Sequence, residues 1–523
     1  MGKREKLAAA ILGIPMSVSF FYTCKIERWI KLGWIKNVAE PLLAPQDGLW
    51  ILGLFVLFFG ILLFFFKHGS RLASFPQISG KFLSLKQAAA ILFLLWLPFL
   101  LVLYPGAGMN DTVAILSSPR RVTVQFPWIY SLALGSFGKI SKYLFGTWEI
   151  GIFLFSLLQT FFMSVILGWV TCKMAAVTRN SKVGWLLLLY FGLFPMVGNY
   201  AIAAVRDPMF SAILLLCSFY MIEKNDGSWR SSLQFALLTV GLMAFRTNGA
   251  AIALLLAVIA GIQYRNKKIV VAFLAAILVV TLPGRILLST VHKQPQFQEA
   301  VAIPLQQMSR VYVLKGNLTI DDKTFMESFL PEKQWHSSTP FSVDSIKWQD
   351  NFKRDLLNQK KQEFMHRWMV MGLKNPRLYM EAWMLETYHI WNWIWYDQKD
   401  QSRFGWALID EHIPVSPANN NMLGVGDLPI PNGIKNTLGK WQFAHSRFFG
   451  SGLCFWLTVL ACGMLYVQGK KRLILFAIPA LANMGTLLLS TPASAVFRYS
   501  FVYVLVLPIL WLFVFSKSDD DGN

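Results

Sequence analysis

Long apolar runs separated by short basic segments occupy most of this chain. The runs Gly48 to Phe66, Gln87 to Tyr104, Ile150 to Cys172 and Ile269 to Val291 approach the length a helix needs to cross a bilayer. Continued along the chain, the pattern predicts about twelve membrane helices, near 7–23, 48–66, 87–104, 150–172, 183–200, 208–222, 232–246, 249–264, 269–290, 449–468, 473–491 and 499–515. The pair around "FRTNG" is short for two crossings and is expected to form a hairpin bent near one face. Basic clusters recur between the runs: Lys3, Arg4 and Lys6; Lys67, Arg71, Lys81 and Lys86; Lys173, Arg179 and Lys182; Arg265, Lys267 and Lys268; Lys470, Lys471 and Arg472. Cytoplasmic loops collect lysine and arginine, so these clusters place both termini inside and the spans between them in even numbers.

The hydropathy collapses between His292 and Arg447. That stretch holds 16 of the 28 Asp and Glu residues and six of the seven His. At roughly 155 residues it is long enough to bury its own core, and the parity of the spans puts it outside. Apolar residues recur at three- and four-residue spacing from Ser342 to Tyr396, with Asn375-Pro376 breaking the run, so the domain reads as mostly helical. The loop-rich "SPANNNMLGVGDLPIPNG" at 416–433 is a candidate cover for a site. The chain thus divides into an N-terminal hairpin and cytoplasmic loop (1–86), a membrane core with an outer loop at 105–149 (87–290), an extracytoplasmic domain (291–448) and a three-helix C-terminal membrane segment (449–523). The fold class is an α-helical polytopic membrane protein with its polar domain between helices 9 and 10.

Composition agrees. Of 523 residues, 55% are hydrophobic and 15% charged, with 42 Phe and 20 Trp, too little polar surface for a soluble protein of this length. The net charge of +21 would suggest nucleic acid in a soluble chain, but here the positive-inside bias accounts for it and no nucleic-acid partner is expected. "MGKREKLAAAILGIPMSVSFFYTC" starts like a signal peptide but lacks a small-x-small cleavage site, so it reads as a retained first helix. Lys6 stands where a myristoylation signal wants Ser or Thr. Cys24, Cys172, Cys217, Cys454 and Cys462 lie in or beside spans, and an outer domain without cysteine fits a bacterial surface better than an ER lumen. No CxxC, Walker or GxSxG motif is present, nor an evident transporter-type repeat.

Outside the polar domain acids are scarce, which singles out Asp111, seven residues past Tyr104 in a stretch opened by Pro105 and glycines. The plain alternative is a solvated loop aspartate. The amphipathic "PWIYSLALGSFGKISKYLF" that follows suits the outer leaflet, and an acid held between it and a span is expected to be partly desolvated and more basic. Arg206-Asp207 joins two spans at the same face, where the two side chains could simply neutralise each other. Arg246 and Asn248 lie at the tip of the "FRTNG" hairpin and Arg498 begins the last span. Each arginine could snorkel or anchor; each could instead grip phosphate in a guanidinium fork. Arg120, Arg121 and Tyr104 are candidates for the same pocket. The histidines show no HxxxH or HxH spacing and propose no zinc site. The aromatic "YHIWNWIWY" is more often core or interfacial belt than a sugar platform.

The segments "YPGAGMND" (104–111), "VRDPMFSAILLL" (205–216), "FRTNG" (245–249), "IPLQQMSRV" (303–311), "FSVDSIK" (341–347) and "FRYS" (497–500) extend over most of the chain. With an acid in the first long outer loop and arginines at the outer ends of later spans, the chain resembles the GT-C class of integral-membrane glycosyltransferases. More closely it resembles a bacterial multi-pass family of unknown function. The GT-C resemblance implies a polyprenyl-phosphate-linked sugar as donor, a glycan or lipid acceptor, and Asp111 as the catalytic base of an inverting transfer. It implies Arg246, Arg498 and Arg310 on the donor phosphate, with Gln306 and Gln307 lining the donor or acceptor site; Asp344 and Lys347 belong to a motif without an assigned role. Many GT-C enzymes carry a second acid near the first. Here the nearest outer acids are Glu149 and Asp207, so the requirement for a divalent cation stays open and no other cofactor is called for.

Other readings remain in view. A polysaccharide polymerase or ligase of another fold would use the same donors without needing Asp111. A transporter or flippase would place its charges near mid-membrane rather than at one face. A scaffold would tolerate alanine at Asp111, Arg246 and Arg498. The topology itself is testable: Asp350→Cys should react with a membrane-impermeant maleimide in intact cells, and labelling only after lysis would invert the assignment.

Overall fold

The computed structural model describes residues 2–32, 41–69, 80–102, 104–106, 110–118, 126–223, 227–289, 297–393, 450–490 and 497–516, with a few positions at 431–437. Every regular element among them is helical. In chain order α1 (Lys3–Lys31), α2 (Asp47–Gly69) and α3 (Leu85–Val102) precede two helices of the 105–149 connection, α4 (Asn110–Leu116) and α5 (Trp128–Phe145). Then come α6 (Glu149–Val177), α7 (Ser181–Leu193), α8 (Pro195–Ile202), α9 (Asp207–Ile222), α10 (Trp229–Phe245), α11 (Gly249–Tyr264) and α12 (Lys268–Ser289). The polar domain contributes α13 (Ala302–Val313), α14 (Ile320–Phe329), α15 (Glu332–Ser337), α16 (Asp344–Lys347), α17 (Arg354–Gln359), α18 (Lys361–Lys374), α19 (Pro376–Glu386) and α20 (Tyr388–Trp391). The last described helices are α21 (Ser451–Val467), α22 (Lys471–Ser490) and α23 (Phe497–Phe515).

Helices lie at each segment where the apolar pattern predicts one. Six of them, α1, α2, α6, α12, α22 and α23, are long and apolar enough to cross a membrane, and the pair α7–α8 would make seven. The helices α3, α9, α11 and α21 are apolar but shorter. The single straight span expected at 183–200 is broken: α7 and α8 meet at 61°. The break follows from Pro195, which has no N–H to donate and holds Phe194 extended, at φ −73° and ψ 112°. The faces turned outward from the bundle are themselves apolar. On α2, Leu49, Val56 and Phe64 are all more than half exposed, as side chains solvated by lipid would be.

The most enclosed element is α23, whose residues from Phe501 to Leu505 have no exposed surface. Tyr190 of α7 donates to the Val504 carbonyl at 2.9 Å, and Tyr200 of α8 stacks on Phe501 with ring centres 4.4 Å apart. At its far end Lys470 donates to the carbonyls of Phe513, Val514 and Ser516 at 3.1, 3.2 and 2.5 Å, which supplies the partners a helix C-terminus lacks. Elsewhere small residues let backbones approach: a Cβ on Gly168 of α6 would meet the Ala89 backbone nitrogen of α3 at 2.8 Å.

The polar domain has its own core of Val301, Leu305, Met308, Phe325, Trp335, Ile346, Phe364 and their neighbours. The predicted interruption at Asn375-Pro376 is present, with α18 ending at Lys374 and α19 starting at Pro376. The domain sits on one end of the bundle. Trp383 of α19 donates to the Leu488 carbonyl of α22 at 2.9 Å, and Tyr388 donates to Glu27 of α1 at 2.9 Å. Trp393 donates to Ser19 of α1 at 2.8 Å and stacks on Trp456 at 5.2 Å. These aromatic residues of "YHIWNWIWY" up to Trp393 are therefore packing residues. Glu381 is the joint between the two parts: it accepts from the Leu42 N–H at 3.0 Å and from Arg310 at 3.2 Å with 1% of its surface exposed. Glu381→Ala would remove the carboxylate that faces the buried Arg310 charge, so a loss of about 3–5 kcal/mol is expected, read as a lower unfolding midpoint of the purified protein. An unchanged midpoint would remove Glu381 as the joint.

Candidate functional site

The site is assembled at the end of the bundle that carries the polar domain. Its foundation is the buried connection from α8 to α9, where Ala201 to Val205 have no exposed surface. Non-helical backbone at this depth needs partners from side chains. Gln159 of α6 donates to the carbonyls of Ala201 and Ala203 at 3.1 and 2.5 Å. Thr112 of α4 and Tyr130 of α5 both donate to the Ala204 carbonyl, at 2.7 and 3.0 Å. One carbonyl thus ties together α4, α5 and the connection that carries Arg206.

Asp111 is not in a loop, as expected, but in the first turn of α4, where a carboxylate opposes the positive end of the helix dipole. The signal was present in "NDTVAIL": polar residues suited to a helix start, then apolar residues that bury. Ile115 and Leu116 seat the helix against Phe126, Leu134, Ile152 and Phe155. Just before α4, Gly106 has φ +129°, and a Cβ there would lie 2.3 Å from Ser156 Oγ of α6. Only glycine allows the chain to turn this close to α6.

Asp111 Oδ2 lies 3.6 Å from Arg206 Nη2 and 3.4 Å from Arg498 Nη2. Arg498 Nε lies 3.6 Å from Asp207 Oδ2, and Arg246 Nη1 donates to Asp207 Oδ1 at 2.8 Å. Asp111 is 18% exposed by side chain and Asp207 1%. The neighbours Arg206 and Asp207 therefore do not neutralise each other; each reaches a residue from another element. Arg246 does not snorkel, because its guanidinium lies 4.2 Å from the centre of the Tyr499 ring and 5.6 Å from that of Phe210. Arg206 lies 4.8 Å from the Phe126 ring centre. Three guanidiniums face two carboxylates, which leaves the cluster one positive charge in excess.

Burial acts to raise the proton affinity of Asp111, but the fields of Arg498, Arg206 and Arg246 outweigh it and hold the carboxyl below the usual carboxylate range. This reverses the expectation of a more basic acid. Three buried polar atoms of the cluster, Asp111 Oδ2, Asp207 Oδ2 and Arg206 Nε, make no hydrogen bond. Such atoms occur elsewhere in the protein as well; here they lie beside an excess positive charge, which makes the cluster the candidate site.

The other predicted residues are engaged elsewhere. Asn248 donates to Thr486 of α22 at 2.7 Å and fastens the α10–α11 hairpin, while Asn483 of α22 donates to the Tyr499 carbonyl at 2.8 Å. Tyr104 packs on Phe153 of α6 with ring centres 5.4 Å apart, and neither it nor Arg310 is paired with the cluster. Arg310 is buried against Glu381 in the polar domain rather than placed on a donor phosphate. Gln306 donates to the Thr339 carbonyl at 2.9 Å, and Gln307 donates to the Tyr379 carbonyl at 3.2 Å and accepts from Trp368 at 2.8 Å. Lys347 pairs with Glu299 at 2.7 Å and Asp344 at 3.0 Å. The motifs "IPLQQMSRV" and "FSVDSIK" thus hold the polar domain together. Arg120, Arg121 and the loop at 416–433 lie outside the described residues. Among the described residues no group of three or more His, Cys, Asp or Glu is placed to hold a metal ion. The aromatic seats Phe126, Phe210 and Tyr499 went unassigned in the sequence, where an aromatic residue beside an arginine is indistinguishable from core.

Apolar helices, a polar domain at one end and a buried charge cluster beside it define a multi-pass helical membrane protein. The chain belongs to DUF6020, a family of unknown function, whose model matches residues 115–407. The matched segment contains Arg206, Asp207 and Arg246 and leaves Asp111 and Arg498 outside it. No curated protein and no solved structure matches the chain.

The pair Asp207–Arg246 is a strut that can be tested by its thermodynamics. Asp207→Asn should destabilise the protein by about 3–5 kcal/mol, since it leaves a buried guanidinium without its counter-charge. The double variant Asp207→Leu/Arg246→Met should recover most of that loss. Additive losses in thermal unfolding would contradict the pairing.

Proposed function

We propose that this chain is an integral-membrane glycosyltransferase of GT-C type. In this reading about twelve helices cross a bacterial plasma membrane with both termini in the cytoplasm. At the outer face the enzyme takes a sugar from a polyprenyl-phosphate donor and passes it to a glycan or lipid acceptor of the cell envelope. The supporting observation is the cluster itself: Asp111 faces Arg206 and Arg498 at 3.6 and 3.4 Å, with buried oxygens and a guanidinium nitrogen lacking hydrogen-bond partners.

Each residue type answers a need of that reaction. An acceptor hydroxyl attacks the anomeric carbon as its proton passes to the Asp111 carboxylate. The new carbon–oxygen bond forms while the bond from the anomeric carbon to the phosphate oxygen breaks, and the electron pair leaves with the polyprenyl phosphate. Guanidiniums already in place stabilise that departing charge without reorganising, most effectively where water is thin. The excess positive charge of the cluster suits an anion. A single displacement of this kind inverts the anomeric centre with one base. Arg206 and Arg498 take the phosphate in this scheme, while Arg246, hydrogen-bonded to Asp207 at 2.8 Å, positions the others. The amphipathic α5, with Ile140, Tyr143, Leu144 and Phe145 exposed, is suited to lie in the outer leaflet beside the entering lipid.

Asp111→Asn should lower sugar incorporation into envelope glycans by about a hundredfold or more while leaving the amount of protein in the membrane unchanged. Membranes supplied with radiolabelled polyprenyl-phosphate sugars would measure it. Undiminished transfer by the variant removes Asp111 as base and favours a polymerase or ligase of another fold.

A further inference from the structure

Two kinds of arginine contact coexist in the cluster. Arg246 makes a true hydrogen bond to Asp207 at 2.8 Å and is stacked on Tyr499. Arg206 and Arg498 reach the same oxygen of Asp111 at 3.6 and 3.4 Å, distances that attract by charge without a donated hydrogen bond. Asp111 Oδ2 is buried and makes no hydrogen bond, and Arg206 Nε is in the same state. The contacts on Asp111 are therefore the ones a stronger ligand can replace; the Arg246–Asp207 contact is not. A phosphate takes guanidinium groups in forked, charge-assisted hydrogen bonds of about 2.7–2.9 Å, shorter than either contact on Asp111.

We infer, resting on the donor reading above, that an entering lipid phosphate draws Arg206 and Arg498 from Asp111, so that Asp111 becomes an effective base only once the donor is seated. Before the donor arrives the carboxylate is held ionised by the arginines and binds a proton poorly. The charged and titratable groups that face it are Arg206 from the connection before α9, Asp207 from α9, Arg246 at the end of α10, Arg498 at the start of α23 and Tyr130 from α5. The phosphate neutralises two of the arginines and adds negative charge of its own, and both changes raise the proton affinity of Asp111. The order of binding follows: donor first, acceptor second. A base that is weak until the donor is present also has nothing to deprotonate productively in an empty site.

The test reads the proton on Asp111 directly. In the purified full-length protein, the infrared band of the protonated carboxyl is assigned by its loss in Asp111→Asn and followed against pH. Farnesyl phosphate should raise the midpoint of that band by about one pH unit, roughly tenfold in proton affinity, while farnesol, which lacks the phosphate, should leave it in place. Arg498→Gln should raise the midpoint without any ligand, and Arg206→Gln gives the same reading if the first variant does not fold. Farnesyl phosphate that raises the thermal midpoint, and so binds, yet leaves the band unmoved or moves it down, overturns the exchange of partners while sparing the donor reading. Failure of farnesyl phosphate to bind at all overturns both.

Discussion

Arg498 holds the charged end of this protein together. It lies between two carboxylates that come from distant parts of the chain, Asp111 on a short helix before α5 and Asp207 at the start of α9. Its own position is set by α23, the most enclosed helix of the bundle, which is fastened by Tyr190 and Tyr200 at one end and by Lys470 at the other. A guanidinium taken out of water demands compensation, and a bundle that buries one must bring acids to it. The buried connection from Ala201 to Val205, with its carbonyls satisfied by Gln159, Thr112 and Tyr130, delivers one of those acids.

The polar domain depends on a second buried pair of the same kind. Arg310 and Glu381 meet at 3.2 Å inside it, and Glu381 also accepts the Leu42 N–H from the connection between α1 and α2. Glu386, one turn further along α19, is buried with its carboxyl pushed well above the usual carboxylate range by desolvation, which the Val343 N–H offsets only in part. His389 is likewise held neutral by burial, with its pKa lowered to about 3. The polar groups of this domain hold it together and tie it to the membrane helices. The cluster beside it is different, because three guanidiniums face two carboxylates and one positive charge is left over.

Much of this was legible along the chain because hydropathy is a local property. The membrane helices, the polar interruption after α12, the break at Asn375-Pro376 and the amphipathic stretch that became α5 each follow from residues within a window of about twenty positions. Local chemistry also identified Asp111, Asp207, Arg246 and Arg498, since charge is rare in such surroundings and conspicuous for that reason. Which arginine holds which acid was not legible. Arg206 and Asp207 are adjacent in sequence and turn to different partners, because successive residues at a helix start point in different directions. Arg310, which the GT-C resemblance implies on the donor phosphate, is paired with Glu381 inside the polar domain, and no local signal separates those two roles.

What the sequence by itself determined, then, is composition along the chain: which segments are apolar helices, which stretch is polar, and which few charges stand out among the apolar segments. Only the tertiary structure decided how those charges pair and how tightly, because pairing depends on crossings between elements that lie from tens to hundreds of residues apart. The difference between 2.8 Å for Arg246 on Asp207 and 3.4 Å for Arg498 on Asp111 separates a fixed strut from an exchangeable contact. That difference is set by the packing of α4, α9, α10 and α23 against one another, which no single stretch of the chain encodes.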